Sequence, residues 1–202
     1  MIVELLRMVA RFVPAMAVCA VPVALVYLDA VVLGQQCDET GVVEIAQSVL
    51  LLVTVACTAA MAVRRRDLRG GLALVAAFFL DMFIREQDQI LEMFLPHGIW
   101  VAPCAAVTIA AFAYAYRTRE TIMPAFRHLC SSRTFPSLAL GLFTVLAFAR
   151  LFGGKFIWKS VAATGDFRLV KHVVEEGSEL FGYAILTLWA ISYLVESERK
   201  SK

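Results

Sequence analysis

Long apolar runs separated by short polar segments make up most of this chain. Six of the runs are long enough to cross, as helices, the roughly 30 Å hydrocarbon core of a bilayer. They predict transmembrane spans at about residues 12–33, 42–63, 71–92, 99–116, 136–157 and 173–195. The expected fold is therefore an all-α, polytopic membrane helix bundle, a single integral membrane domain over residues 1–202. Gly70 and Gly71 are expected to form a turn between two spans.

Composition agrees with this class. Of the 202 residues, 60% are hydrophobic and 18% are charged, and the mean hydropathy is +0.75. Soluble domains are usually about 45–50% apolar. Basic residues cluster beside the apolar runs, where they orient a membrane protein, so the net charge of +2 does not indicate a nucleic-acid partner. The expected partners are membrane lipids and a further membrane subunit, either a second copy of this chain or another protein.

Lysine and arginine residues indicate how the chain is oriented. Cytoplasmic loops retain these residues, whereas translocated loops contain fewer of them. The distribution predicts a protein of a bacterial inner (cytoplasmic) membrane with both termini in the cytoplasm. With six spans, the cytoplasmic side carries Arg7, Arg11, Arg64, Arg65, Arg66, Arg69, Arg117, Arg119, Arg127, Arg133, Arg199, Lys200 and Lys202.

Polar and charged residues are concentrated in the outer halves of the second, third, fifth and sixth predicted spans. A charge in hydrocarbon is costly and rarely occurs without a structural or functional reason. In the third span, Asp81, Arg85 and Asp88 follow one another at spacings of four and three residues, which places them on one helical face. We expect these four spans to surround a polar cavity open to the outer side, with the first and fourth spans peripheral. The candidate cavity residues are Glu44, Gln47, Asp81, Arg85, Glu86, Asp88, Arg150, Lys171, His172, Glu175, Glu176 and Glu179.

Two interpretations of this cluster remain open. In the first, the charges only fix helix packing. Carboxylates such as Glu175 and Glu176 then favour the dipole at the start of the sixth span, and nearby cations pair with the rest. In the second, the cluster binds a divalent metal or carries protons. His172 and Glu176 lie on adjacent turns, and His97 would complete a set of two histidines and one carboxylate.

Arg150 is the most deeply embedded cation of the predicted spans. It precedes Lys159 by nine residues and would lie about 13 Å below the outer surface at 1.5 Å per residue. An arginine keeps its charge in a protein, so its side chain should turn into the bundle toward anions. Asp81 and Glu179 have similar expected depths. We predict that Arg150 pairs with one or both of them.

Motifs over most of the chain resemble those of a group of small six-span bacterial inner-membrane proteins. The resemblance implies this architecture and brings no activity with it. The motifs are Glu44-x-x-Gln47, Arg85-Glu86-x-Asp88, His97-Gly98-x-Trp100, Phe152-Gly153-x-Lys155-x-x-Trp158 and Glu175-Glu176-x-x-Glu179-Leu180-x-Gly182-Tyr183.

A fainter resemblance concerns Cys37-Asp38-Glu39 before the second span and His172 at the start of the last one. Both features are similar to those of alkaline ceramidase-like membrane hydrolases. That family carries a serine and a histidine on an early helix and two histidines four residues apart on the last helix, where zinc binds. This sequence lacks the early pair and has Glu176 four residues after His172. The resemblance implies a zinc-dependent hydrolase.

Three classes of function follow from these patterns. The first is a structural, sensing or assembly subunit. The second is a metal-dependent intramembrane enzyme acting on a lipid or lipid-linked substrate, with His172 and Glu176 as metal ligands and Glu179 or Asp88 as general base. The third is a small ion- or proton-coupled transporter or channel subunit.

Cysteine labelling tests the predicted orientation. Cysteines introduced near Arg66 and Arg127 should be shielded from an impermeant thiol reagent in intact cells, because these loops are expected in the cytoplasm. Cys37, expected on the outer side, should be labelled under the same conditions. In permeabilised cells all these thiols should react. Labelling near Arg66 in intact cells would contradict the topology.

Overall fold

A computed structural model of the protein describes residues 2–34, 41–88, 98–161 and 166–200. Every regular element in these ranges is helical, which confirms the predicted all-α class. In chain order the elements are α1 (Ile2–Tyr27), a first π-helical segment (Leu28–Val32), α2 (Val42–Arg64), α3 (Arg69–Glu86), α4 (Val101–Arg117), a 3-10 turn (Arg119–Thr121), α5 (Ile122–Cys130), α6 (Phe135–Phe143), a second π-helical segment (Thr144–Phe148), α7 (Ala149–Phe152), α8 (Lys155–Val161) and α9 (Phe167–Lys200).

Four helical segments of the described residues are long and apolar enough to cross a membrane. The remaining long helices meet this description less well, since α4 is apolar but has only 17 residues, and α3 contains Asp81, Arg85 and Glu86 within its 18 residues. The protein is therefore a helical membrane protein with four candidate spans. These are Phe12–Val32, Val42–Arg64, Phe135–Phe152 and Phe167–Ser197.

Burial differs strongly between the first and the last of these spans. Only 11% of the most apolar part of Phe12–Val32 is buried, compared with 56% for Phe167–Ser197. Large apolar side chains such as Phe12, Met16 and Val23 are exposed on α1, as expected where the surrounding solvent is lipid. Helix α9 therefore contributes most to the protein core.

Contacts between residues divide the chain into two compact units. The first comprises residues 1–47 and 140–188, and the second comprises residues 48–139 and 189–202. The unit boundaries fall inside α2, α6 and α9, so each of these helices contributes residues to both units.

In the first unit, glycines allow α9 to approach α6 and the second π-helical segment closely. A Cβ atom at Gly182 would lie 2.5 Å from Cγ2 of Val145, and one at Gly141 would lie 2.7 Å from Cγ of Leu186. Both distances are shorter than van der Waals contact. Small residues at such positions are a common device of membrane helices, because apolar lipid provides no hydrophobic driving force for helix association.

In the second unit, glycines serve the same purpose at the start of α3. The Gly70 N–H donates a hydrogen bond to Oγ1 of Thr121 at 2.8 Å, and a Cβ at Gly71 would lie 2.5 Å from Cβ of Ala125. The sequence predicted a turn at Gly70 and Gly71. That prediction is wrong, because both residues lie within the first turn of α3. Close packing of Gly70 against Thr118 and Thr121, and of Gly71 against α5, leaves no space for a side chain.

Aromatic side chains form the core of the second unit. The ring centroids of Phe79 and Trp189 are 5.7 Å apart, and Trp189 stacks on Tyr193 at the same distance. The hydroxyl of Tyr193 lies 2.7 Å from Nδ1 of His128 on α5. This contact satisfies the polar end of a tyrosine that is only 1% exposed.

Two glycines of α9 provide a matched test of this packing. Gly182→Ala should destabilise the protein by about 1–3 kcal/mol, because the new methyl group must displace the branched side chain of Val145. Gly177→Ala should be neutral or stabilising by up to about 1 kcal/mol, because its nearest neighbour, Val26, would be 3.4 Å away and alanine favours helix. Thermal unfolding in detergent measures both. Equal effects would contradict the close approach at Gly182.

Candidate functional site

Arg150 contacts two acids of α9 within the first unit. Its Nη1 donates to Oε1 of Glu175 at 2.8 Å, and its Nη2 lies 2.9 Å from Oε1 of Glu179. The second contact is an ion pair without the alignment of a hydrogen bond. The side chains of Glu175 and Glu179 are 11% and 3% exposed. The predicted pairing of Arg150 with Glu179 is therefore confirmed, and Glu175 is an additional partner.

The position of Arg150 along its span differs from the prediction. Helix α7 ends at Phe152, and Gly153 follows it. A Cβ at Gly153 would lie 2.8 Å from Cβ of Glu175, so glycine is required at this close approach. The predicted depth of about 13 Å assumed an unbroken helix as far as Lys159. That assumption is wrong, because the helix ends at Phe152, with Arg150 in its last turn and 45% of the Arg150 side chain exposed. The depth itself stays a prediction.

Glu175 is shared between two cations. Besides Arg150, Nζ of Lys171 contacts the other carboxylate oxygen of Glu175 from one turn earlier in α9. The helix dipole does not explain this acid or Glu176, because α9 begins at Phe167, more than two turns earlier, and the dipole acts mainly within the first turn. Cations close to Glu175 compensate its charge in place of the dipole.

Glu176 is held by an amide of α2. Nε2 of Gln47 donates to the backbone oxygen of Glu176 at 3.1 Å and to its Oε2 at 3.0 Å. Gln47 is 1% exposed, and its own Oε1 has no hydrogen-bond partner among the described residues. His172 is half-exposed, and its Nδ1 lies 3.9 Å from Oε1 of Glu176, which is beyond hydrogen-bond distance. Gln47 therefore ties the start of α2 to α9.

Asp29 is a further member of this region that the sequence interpretation missed. It lies in the first π-helical segment, is fully buried and accepts a hydrogen bond from the Val43 N–H at 3.0 Å. A carboxylate at this position caps the amino-terminal end of α2, where the helix dipole favours a negative charge. The sequence did contain a signal for Asp29, because an acid within an apolar run rarely occurs without a reason. It was overlooked because the first predicted span was expected to be peripheral.

The candidates of the predicted third span belong to the second unit. Oδ2 of Asp81 accepts a hydrogen bond from the Thr108 hydroxyl at 2.7 Å, and its buried Oδ1 has no partner among the described residues. Arg85 pairs with its neighbour Glu86 at 2.9 Å. Asp88, two residues after the end of α3, is half-buried. Pairing of Arg150 with Asp81 stays a prediction.

The candidates thus form two groups, one in each unit. The first unit brings together seven of them: Gln47, Arg150, Lys171, His172, Glu175, Glu176 and Glu179. Glu44 belongs to the same unit and lies half-buried in the first turn of α2. Asp81, Arg85, Glu86 and Asp88 lie in the second. A single cavity shared by all of them stays a prediction.

The metal hypothesis finds no support in the described parts of the chain. No three histidine, cysteine, aspartate or glutamate residues within them form a group that could hold a metal ion. His172 and Glu176 supply two ligand-type side chains, and one oxygen of Glu176 already accepts the Gln47 amide. His97, the expected third ligand, lies outside the described residues, as do Cys37, Asp38 and Glu39.

Comparisons of this chain with protein-family models, curated proteins and solved structures found no match. Both resemblances noted from its motifs stay predictions. Function is therefore inferred from the geometry of the site.

The Arg150 contacts predict a large effect of one substitution. Arg150→Ala should lower the free energy of unfolding by about 2–3 kcal/mol, because it leaves the buried Glu179 without its cation. Arg168→Ala removes an exposed arginine from the first turn of α9 and should change stability by at most about 0.5 kcal/mol. Thermal unfolding in detergent compares the two variants. Equally mild effects would show that the pair does not stabilise the fold.

Proposed function

We propose that this chain is a bacterial inner-membrane protein with about six spans and both termini in the cytoplasm. The distribution of lysine and arginine supports this orientation. The lengths of α3 and α4, 18 and 17 residues, support two spans beyond the four apolar ones, since they extend about 25–27 Å at 1.5 Å per residue. An even number of spans returns the chain to the cytoplasm.

Within this topology the protein serves as a structural, sensing or assembly subunit. The observation that carries this proposal is the double contact of Arg150 with Glu175 and Glu179. Both acids are engaged by a cation, and Gln47 engages Glu176 in the same unit. Groups held in this way tie helices together, whereas a general base must direct an oxygen at a substrate. The expected partners are membrane lipids and a second membrane subunit or a second copy of the chain.

The two other function classes require different behaviour of the same carboxylates. In a proton- or ion-coupled transporter, a buried acid such as Glu179 must change its charge during turnover. In a metal-dependent enzyme, several ligands must leave an open coordination position for the substrate. A pair that only fixes packing can instead be replaced by apolar side chains of similar volume at little cost. Substitution of Arg150 and Glu179 together therefore distinguishes a packing role from transport or metal binding.

A double-mutant cycle on Arg150 and Glu179 makes this distinction. Arg150→Met and Glu179→Met should each destabilise the protein, because the first removes the cation beside the buried Glu179 and the second leaves Arg150 with Glu175 alone. The double variant should lose less than the sum of the two by at least about 1 kcal/mol. Lys171 still compensates Glu175 in every variant, so the cycle measures the interaction between Arg150 and Glu179. Strictly additive losses of thermal stability would remove the packing role.

Proton flux provides a second measurement on the same residue. Proteoliposomes that enclose a pH-sensitive dye should acidify at the same rate with the unchanged protein and with Glu179→Gln after a pH step. If Glu179 only fixes packing, it stays paired with Arg150 and the protein carries no protons, so both samples acidify only through passive leak across the lipid. A proton flux through the unchanged protein that Glu179→Gln abolishes would establish transport and contradict the proposal.

A further inference from the structure

A groove in the second unit combines an apolar wall with two arginines. It has a volume of about 430 Å³ and lies between α2 and α3, with Tyr114 of α4 at its side. Its wall consists mainly of small side chains, among them Ala62 of α2 and Ala73 of α3. Arg66 and Arg69 line the groove where the chain turns from α2 into α3. These residues are separate from the network around Arg150.

The spacing along α3 gives the groove a direction. Arg69, Ala73 and Ala76 follow one another at intervals of four and three residues, which places them on one face of the helix. From Arg69 to Ala76 this face extends about 10 Å at 1.5 Å per residue. One end of the groove is therefore cationic and the other is apolar, and together they cover about two turns of α3.

The two groove arginines differ from their neighbour Arg65. Arg65 forms two hydrogen bonds to the Asp67 carboxylate, at 2.7 and 3.0 Å, and this contact lowers the pKa of Asp67 below its usual value. Arg66 and Arg69 are both exposed, and no acid among the described residues forms an ion pair with either. Their charges are therefore available to a ligand.

We propose that this groove binds an anionic phospholipid. The phosphate lies between the guanidinium groups of Arg66 and Arg69, and the first part of an acyl chain lies along the alanines. Arginine suits phosphate because its planar group donates two parallel hydrogen bonds. Basic pockets between membrane helices on the cytoplasmic side bind the head groups of such lipids, and tyrosine is enriched at this depth. A soluble phosphate compound would gain little from a wall of alanine side chains.

Native mass spectrometry of the purified full-length protein tests this proposal. Titration with dioleoyl phosphatidylglycerol should show one tightly bound lipid, and dioleoyl phosphatidylcholine should bind much more weakly. Joint substitution Arg66→Gln and Arg69→Gln should weaken phosphatidylglycerol binding about 25-fold, at about 5-fold for each arginine. The matched control, Arg127→Gln with Arg133→Gln, removes two exposed arginines from outside the groove and should leave the affinity unchanged.

The apolar wall is tested separately from the charges. Ala73→Leu should fill the groove and weaken phosphatidylglycerol binding while Arg66 and Arg69 remain. Ala62→Leu tests the same point from α2 if the first variant fails to fold, which thermal unfolding detects. Equal losses in the two arginine double variants, or equal binding of the two lipids, would overturn the proposal. Displacement of the lipid by millimolar inorganic phosphate, together with no effect of either leucine, would identify a soluble-anion site and also overturn it.

Discussion

Three glutamates within five residues of α9 require compensation, and much of the first unit is arranged to supply it. Arg150 contacts Glu175 and Glu179, and Gln47 holds Glu176. An uncompensated carboxylate in apolar surroundings costs several kcal/mol, so these contacts limit where α7 and the start of α2 can lie. Gly153 fits the same constraint, because a side chain there would collide with Glu175.

Irregular helix geometry accompanies two of the charged groups. Asp29 lies within the π-helical segment Leu28–Val32, and Arg150 follows the segment Thr144–Phe148 by two residues. A π-helical turn adds a residue to the helical repeat and so redirects the side chains that follow it, and such turns occur frequently at functional sites. In this protein they coincide with a cap on α2 and with a cation directed at α9, which are both contacts that stabilise helix packing.

Charges are compensated differently in the two units. In the first unit, each acid of α9 has a cation or an amide nearby, which favours a fixed arrangement of helices over a site that exchanges protons or metal. In the second unit, Arg66 and Arg69 face a groove and have no acidic partner among the described residues, and lipid is the abundant source of negative charge in a membrane. A subunit of this kind would be stabilised by internal ion pairs in one unit and by lipid in the other.

The sequence by itself determined the helical class and four apolar spans, and it limited the expected partners of Arg150 to Asp81 and Glu179, because hydropathy and the cost of a buried charge follow from residue type alone. It did not determine where helices end, and so the break at Gly153 and the early start of α9 were missed. It also missed Asp29 as a cap and Glu175 as a shared partner. Only the tertiary structure decided these points, because they depend on which distant groups come close enough to satisfy a charge or exclude a side chain.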